Sequence, residues 1–74
     1  MSGRGVVELM RCRSLRADMR RQVDAVDALL DGRPVIGDAL RERLVALRSS
    51  CVRAIEQLEP AIAGLEELLN ELRS

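Results

Sequence analysis

The sequence predicts an all-α protein, an antiparallel helical hairpin of coiled-coil type whose second helix is the longer. Two observations carry this fold class. Apolar residues recur every seven residues along the second half of the chain, and a further apolar series with spacings of three and four runs through the first half. Between the two series lies a short segment with two glycines and a proline, which predicts the turn.

The first helix is predicted over residues 6–31. Residues 1–5 contain two glycines and no side chain that could pack, so we expect a flexible arm there. Gly32 is expected to end the helix in the left-handed conformation, and Pro34 to keep it from resuming within a turn over residues 32–37. The apolar stripe of this helix comprises Leu9, Cys12, Leu15, Met19, Val23, Val26, Leu29 and Leu30.

The second helix is predicted over residues 38–73, with the Asp38 carboxylate accepting from the free amides at its start. Pro60 inside a helix costs about 3 kcal/mol, yet the heptad continues through it without a phase shift. We therefore expect one helix bent near Pro60, within a single domain over residues 6–74. A third helix starting at Pro60, giving a three-helix bundle, is the alternative. The heptad row is Leu44, Cys51, Leu58, Leu65 and Leu72, followed three residues later by Leu47, Ala54, Ala61 and Leu68.

A short turn makes the helices antiparallel neighbours, and apolar pairs whose numbers sum to 70 then face each other. The same register brings Asp27 near Arg43 and Arg13 near Glu56. Cys12 and Cys51 fall seven residues apart along the axis, about 10 Å, so no disulfide is expected between them. The predicted pairs are Leu30–Leu40, Val26–Leu44, Val23–Leu47, Met19–Cys51, Leu15–Ile55, Cys12–Leu58 and Leu9–Ala61.

The composition argues against catalysis, and we expect a non-enzyme with no cofactor, no metal and no small-molecule substrate. The chain has no histidine and only two cysteines, which leaves neither a Cys–His nucleophile nor a four-ligand zinc site. No glycine-rich phosphate loop follows a strand. No stretch approaches the ~18 apolar residues of a membrane span or forms a signal peptide, so an intracellular, soluble protein without a membrane partner is expected.

The predicted function is a non-enzymatic protein–protein interaction module, a small coiled-coil subunit or adaptor. In the predicted register the first helix covers the second only to about Ala63, so apolar residues beyond it would bind partner helices of the same chain or of a larger protein. Alternatively, these residues fold back as the core of a three-helix bundle, or the chain is an accessory subunit of an enzyme. The expected anchors are Ile62, Leu65, Leu68, Leu69 and Leu72, with Glu66, Glu67 and Glu71 selecting the partner by charge.

A second function class follows from the uneven charge. All twelve basic residues are arginines; residues 1–23 hold six against two acidic residues, a charge of +4, and residues 54–74 carry −4. Arg13, Arg16 and Arg20 share a helical stripe, which favours contact with an anion such as a nucleic-acid phosphate. The competing interpretation is charge matching within the hairpin or with a protein partner.

A set of residues spanning the turn carries a family resemblance: Gln22, Val23, Gly32, Arg33, Pro34, Ile36, Asp38, Leu40, Leu47 and Arg48. With a one-residue insertion or deletion, and over less than half the chain, they resemble the helical core of copper-sensing repressors. That resemblance implies a helical hairpin but not metal sensing, because Val35 stands near the position of a metal-binding cysteine and the family's histidines have no counterpart.

A second resemblance lies in the second helix, after the glycine-containing turn, and is carried by Leu47, Cys51, Ile55, Glu59 and Ile62. With a two-residue gap and without that family's aromatic residues, this helix resembles that of the exonuclease VII small subunit, a helical hairpin that wraps a large catalytic subunit. The resemblance implies an accessory subunit that supplies no chemistry of its own.

Overall fold

The protein is a two-helix antiparallel hairpin. The computed structural model describes residues 2–32 and 35–73, apart from the side chain of Ser2. Helix α1 spans Ser2–Asp31 and helix α2 spans Asp38–Arg73, and no strand occurs in these two ranges. The longest dimension is 54 Å, about the length of 36 residues at a rise of about 1.5 Å each.

Helix α2 continues through Pro60, so no third helix forms. Pro60 lies on the exposed side of α2, where its ring meets no neighbouring helix. The heptad phase that passes through this position predicted the continuity correctly, because a helix packed along its whole length offsets the backbone hydrogen bond that proline removes.

Helix α1 begins four residues earlier than the sequence predicted. Residues 2–5 are helical instead of forming an arm, and Met1 lies outside the described residues. The extension packs on the end of α2, since a Cβ placed on Gly5 would lie 3.2 Å from Cδ2 of Leu69. This contact brings α1 close to the last turns of α2, which were expected to be uncovered.

The turn has the predicted limits but different local chemistry. The φ angle of Gly32 is not in the left-handed region; glycine is needed there because a Cβ would lie 2.7 Å from the carbonyl oxygen of Ala28. Pro34 lies outside the described residues. The Gly37 carbonyl accepts from the amide of Arg41 at 2.9 Å, so Gly37, and not Asp38 as predicted, is the N-cap residue of α2. Asp38 is in the first turn, where its negative charge interacts favourably with the positive end of the helix dipole.

The helix–helix interface follows a 3.5-residue repeat on both helices, but one predicted row of α2 is wrong. The first row is confirmed from Leu44 to Leu65, while its companion row lies four residues later and not three. That row carries Ile55, Ile62 and Leu69, which are bulkier than Ala54 and Ala61. The interface residues of α1 are Gly5, Leu9, Cys12, Arg16, Met19, Val23, Val26 and Leu30, and those of α2 are Leu44, Cys51, Ile55, Leu58, Ile62, Leu65 and Leu69.

The register also differs from the prediction. Gly5 meets Leu69, Arg13 binds Glu66, Gln22 binds Cys51 and Asp27 binds Arg48, so the numbers of facing residues sum to about 75 instead of 70. The predicted ion pairs Asp27–Arg43 and Arg13–Glu56 are accordingly replaced. Cys12 and Cys51 are free thiols, and because Cys51 lies beside Gln22 they are ten residues apart along the axis, about 15 Å.

A cysteine pair tests this register. In a Cys12→Ser background, we expect Val23→Cys to form a disulfide with Cys51 on mild oxidation, because both residues lie in the helix–helix interface and their numbers sum to 74, as those of the contacting residues Gly5 and Leu69 do. Met19→Cys, which the sum of 70 would place opposite Cys51, should oxidise far more slowly. Non-reducing mass spectrometry measures both, and faster closure of the Met19→Cys variant would contradict the register.

A second expectation concerns Pro60. Pro60→Ala should raise the free energy of unfolding by about 1–3 kcal/mol, because the Glu56 carbonyl gains an amide donor. A Cβ placed on Gly64 would meet no other part of the chain within 4 Å, so Gly64→Ala provides a control that gains only the helix propensity of about 1 kcal/mol. Urea unfolding followed by circular dichroism compares them, and a loss of stability in Pro60→Ala would contradict the expectation.

Candidate interaction surfaces

The hairpin has two long faces of opposite character, one on each side of the helix–helix interface. The ion-paired face comprises Arg13, Arg16, Arg20, Asp27, Arg48, Glu59 and Glu66. The opposite side, here called the open face, comprises Leu15, Gln22 and Leu29 of α1 with Leu40, Leu47, Ala54, Ala61 and Leu68 of α2. Residues seven apart share one side of a helix packed in this way, which is why each face runs the length of the hairpin.

Glu59 is the centre of the ion-paired face. Its two carboxylate oxygens accept from Arg16 at 3.0 Å and from Arg20 at 3.1 Å. Arg16 stands in an interface row with only 23% of its side chain exposed, so its guanidinium depends on this carboxylate more than an exposed arginine would. Screening by water limits what the exposed pairs contribute, about 0–1 kcal/mol each.

Two further pairs extend the face toward both ends of the hairpin. Arg13 binds Glu66 at 3.0 Å near the start of α1, and Arg48 donates to Asp27 at 2.7 Å near the turn. The hydrogen bond to Asp27 and the negative charge of the Asp27 carboxylate raise the pKa of Arg48 above its ordinary value. These contacts tie the two helices at three levels, so they fix the axial register.

The arginines that the sequence predicted as possible anion contacts form ion pairs within the hairpin. Arg13, Arg16 and Arg20 each bind a glutamate of α2. Two more arginines of α1 are paired within the helix, Arg11 with Glu8 and Arg21 with Asp18. The basic third of the chain therefore lies against carboxylates of the acidic third, which is the charge matching that the sequence left open as an alternative.

The open face carries a concentration of exposed leucines. Eleven large apolar side chains of the described residues are exposed, and five of them are the leucines of this face, between 45% and 56% exposed. The other six are scattered: Val35 is in the turn, Leu72 is at the end of α2, and Val6, Val7, Met10 and Val45 are on other sides of the helices. Single exposed apolar residues are ordinary, but a contiguous row is not.

The predicted partner anchors differ in how much of each side chain is exposed. Ile62 is only 1% exposed, so it is core and cannot contact a partner while the hairpin is intact. Leu65 and Leu69 are half-buried. The extension of α1 to Ser2 places Gly5 on Leu69, and the observed register places the region of Leu9 against Leu65. Leu68 remains 50% exposed and Leu72 63% exposed.

The three glutamates expected to select a partner also differ in their surroundings. Glu66 is bound to Arg13, while Glu67 and Glu71 are exposed. Sequence reasoning missed Leu15, Leu29, Leu40 and Leu47 as surface residues, since it placed all four in the helix–helix interface. The available signal was the heptad series Leu40, Leu47, Ala54, Ala61 and Leu68, which is one residue longer than the row assigned to the interface.

The clefts of the hairpin lie at its open end and on the outer surface of α2. Two grooves at the open end of the hairpin measure about 160 and 260 Å³, and both are lined in part by Val6 and Leu69; small-molecule sites commonly measure about 300–1,000 Å³. A wider concavity of about 550 Å³ lies on the outer surface of α2 around Glu67. Within residues 2–32 and 35–73, no group of three metal-ligating side chains comes together.

Neither α1 nor α2, over the residues described, combines the length and the apolar character that crossing a membrane requires. Comparison with family models, with characterised proteins and with solved structures finds no match to this chain. The two resemblances noted in the sequence gain no support from these comparisons, so the function is inferred from the surfaces of the hairpin.

Removing one carboxylate tests the ion-paired face. We expect Glu59→Gln to lower the free energy of unfolding by about 1–2 kcal/mol, because half-buried Arg16 loses its charged acceptor. Glu56→Gln, an exposed glutamate three residues away, is the matched control and should change stability by less than about 0.5 kcal/mol. Urea unfolding at low and at 1 M salt measures both; equal effects of the two substitutions at low salt would contradict the assignment.

Proposed function

We propose that this protein is a non-enzymatic interaction module, a small helical subunit or adaptor whose open face packs against the helices of a partner. The observation that carries the proposal is the alignment of five half-exposed leucines along one side of the hairpin. Water-exposed apolar rows of this length are typical of surfaces that are covered in an assembly.

The dimensions of the open face suit such a contact. From Leu40 to Leu68 it spans 28 residues, about 42 Å, and it is two helices wide, about 20 Å. The resulting area of about 800 Å² per partner is that of a standard protein–protein interface. Covering the exposed half of each leucine contributes about 1 kcal/mol.

Binding of nucleic acid is the weaker candidate. An affinity driven by phosphates needs arginines free to replace counterions, whereas Arg13, Arg16 and Arg20 are held by Glu59 and Glu66. Those same glutamates would repel a phosphate backbone that approached the ion-paired face. The opposite side of the hairpin, the open face, is apolar and contains no aromatic residue on which a base could stack.

The proposal includes a coiled-coil geometry for the hairpin and a bend near Pro60. Two straight, parallel helices would form a slab about 15 Å by 5 Å in cross-section at the Cα atoms, but the two short dimensions of the protein are 16 and 15 Å. Winding of the helices around each other, bending of α2, or both would account for this. The two free thiols fit the intracellular location that we propose, because reducing compartments keep cysteines unpaired.

Site-specific cross-linking in the native host tests the proposed function. A photoreactive amino acid replacing Leu47, on the open face, should cross-link to a protein partner, because that side chain is covered in the assembly. The same replacement of Val45, which is equally exposed at 47% against 45% but belongs to the heptad position of Glu59 and Glu66, should give little product. Gel mobility and mass spectrometry of the products provide the measurement.

The size of the product is informative as well. A product of twice 8.2 kDa or a heavier one, dependent on position 47, supports an interaction module. Equal products from both positions, or none from position 47, would show that the open face is not an interaction surface and would overturn the proposal.

A further inference from the structure

We propose that the open face binds a second copy of this chain, and that the two hairpins pack antiparallel as a four-helix bundle with their turns at opposite ends. This inference rests on the proposed function and names its partner. Two features favour a second copy. The end leucines of the face on each helix are equidistant from one axial level, and the face has the area of about 800 Å² that a standard interface needs.

The symmetry is visible on both helices. On α1, Leu15 and Leu29 lie seven residues either side of Gln22. On α2, Leu40 and Leu68 lie fourteen residues either side of Ala54. Gln22 binds Cys51, one turn from Ala54, so the two centres are at the same level of the hairpin. A two-fold axis across the hairpin at this level places Leu15 on Leu29 of the other copy and Leu40 on Leu68, an isologous contact.

The distribution of bulk favours antiparallel over parallel packing of the hairpins. The turn end of the open face carries Leu29, Leu40 and Leu47, while the far end carries Leu15 and Leu68 with the small Ala61. Antiparallel copies place the bulky end of one on the lighter end of the other, which fills the core evenly. Parallel copies would set Leu68 against Glu8, a charged residue paired with Arg11.

Small residues at the centre allow the two α2 helices to approach closely. Ala54 would meet its own counterpart on the axis, with Ala61 against Leu47 of the other copy. Gln22 would meet Gln22; its oxygen accepts from Cys51 at 3.5 Å, and its amide group remains to donate across the axis. A polar residue at the middle of a helical interface fixes register and orientation.

Sedimentation equilibrium of the purified chain tests the partner. The protein should be dimeric at about 100 μM, and Leu47→Asp should raise the dissociation constant at least about 100-fold by placing two carboxylates in the interface. Val45→Asp is the matched control and should stay within about threefold. Circular dichroism checks that Leu47→Asp keeps its helices; if it does not, Leu68→Gln at the far end of the face replaces it.

Orientation is tested by cross-linking. In a Cys12→Ser, Cys51→Ser background, Ala54→Cys should form a disulfide between copies, since only a residue on the axis meets itself. A dimer in which Ala54→Cys forms no such disulfide would overturn the antiparallel arrangement.

A monomer at 100 μM, or a dimer indifferent to Leu47→Asp, would overturn the inference that the partner is a second copy. The proposed function is tested separately by the cross-links from position 47 in the host. A heavier heterologous product there, combined with a monomeric purified chain, would leave the interaction module standing and remove the homodimer.

Discussion

The structure depends on a mismatch of width between the two helices at their contact. Helix α2 presents three adjacent apolar rows, which begin at Leu40, Leu44 and Ile55, whereas α1 can cover only two of them. Packing a single helix on a broad apolar surface always leaves one edge exposed, because a helix is about 10 Å wide. Which edge is exposed therefore decides what the protein can do.

Ion pairs between the helices decide which edge is exposed. The carboxylates of Glu59 and Glu66 lie on one side of the interface rows of α2, and the arginines of α1 lie on the matching side. The pairs form only when α1 covers the row of Ile55, Ile62 and Leu69. The row of Leu47 and Ala61 is then left on the other side, away from the arginines that bind α2. Weak exposed ion pairs thus select a face although each contributes little stability.

The sequence predicted the secondary structure and the turn well, because helical periodicity and the Gly32 to Gly37 segment are local signals. It predicted register and sidedness poorly. A heptad row such as that of Leu44 has apolar neighbours at both three and four residues, and periodicity alone does not say which neighbour is covered. The seven predicted pairs whose numbers sum to 70 all match apolar residues with apolar residues. They do so although the register is wrong, because shifting one helix along the other by about one 3.5-residue repeat brings apolar positions opposite each other again.

The same ambiguity explains the error in the interaction site. An arm over residues 2–5 would leave Leu69 to a partner, whereas these residues continue α1 and Gly5 packs on Leu69. Ile62 is covered for a different reason: facing residues sum to about 75 instead of 70, which places the region of Cys12 against it. The charge asymmetry was the stronger signal, since it placed arginines of α1 beside glutamates of α2. Used together with the size of the side chains, the charge asymmetry would have favoured the row of Ile55 and Ile62 over the row of Ala54 and Ala61 as the covered row.

The most direct test of this sidedness is a methyl NOE experiment on protein labelled at leucine, isoleucine, valine and alanine. We expect contacts from Leu9 to Leu69, which line one groove together, and none from Leu9 to Ala61. Strong NOEs between Leu9 and Ala61, with Ile62 accessible to a soluble relaxation agent, would contradict the account, because α1 would then cover the row that we describe as open.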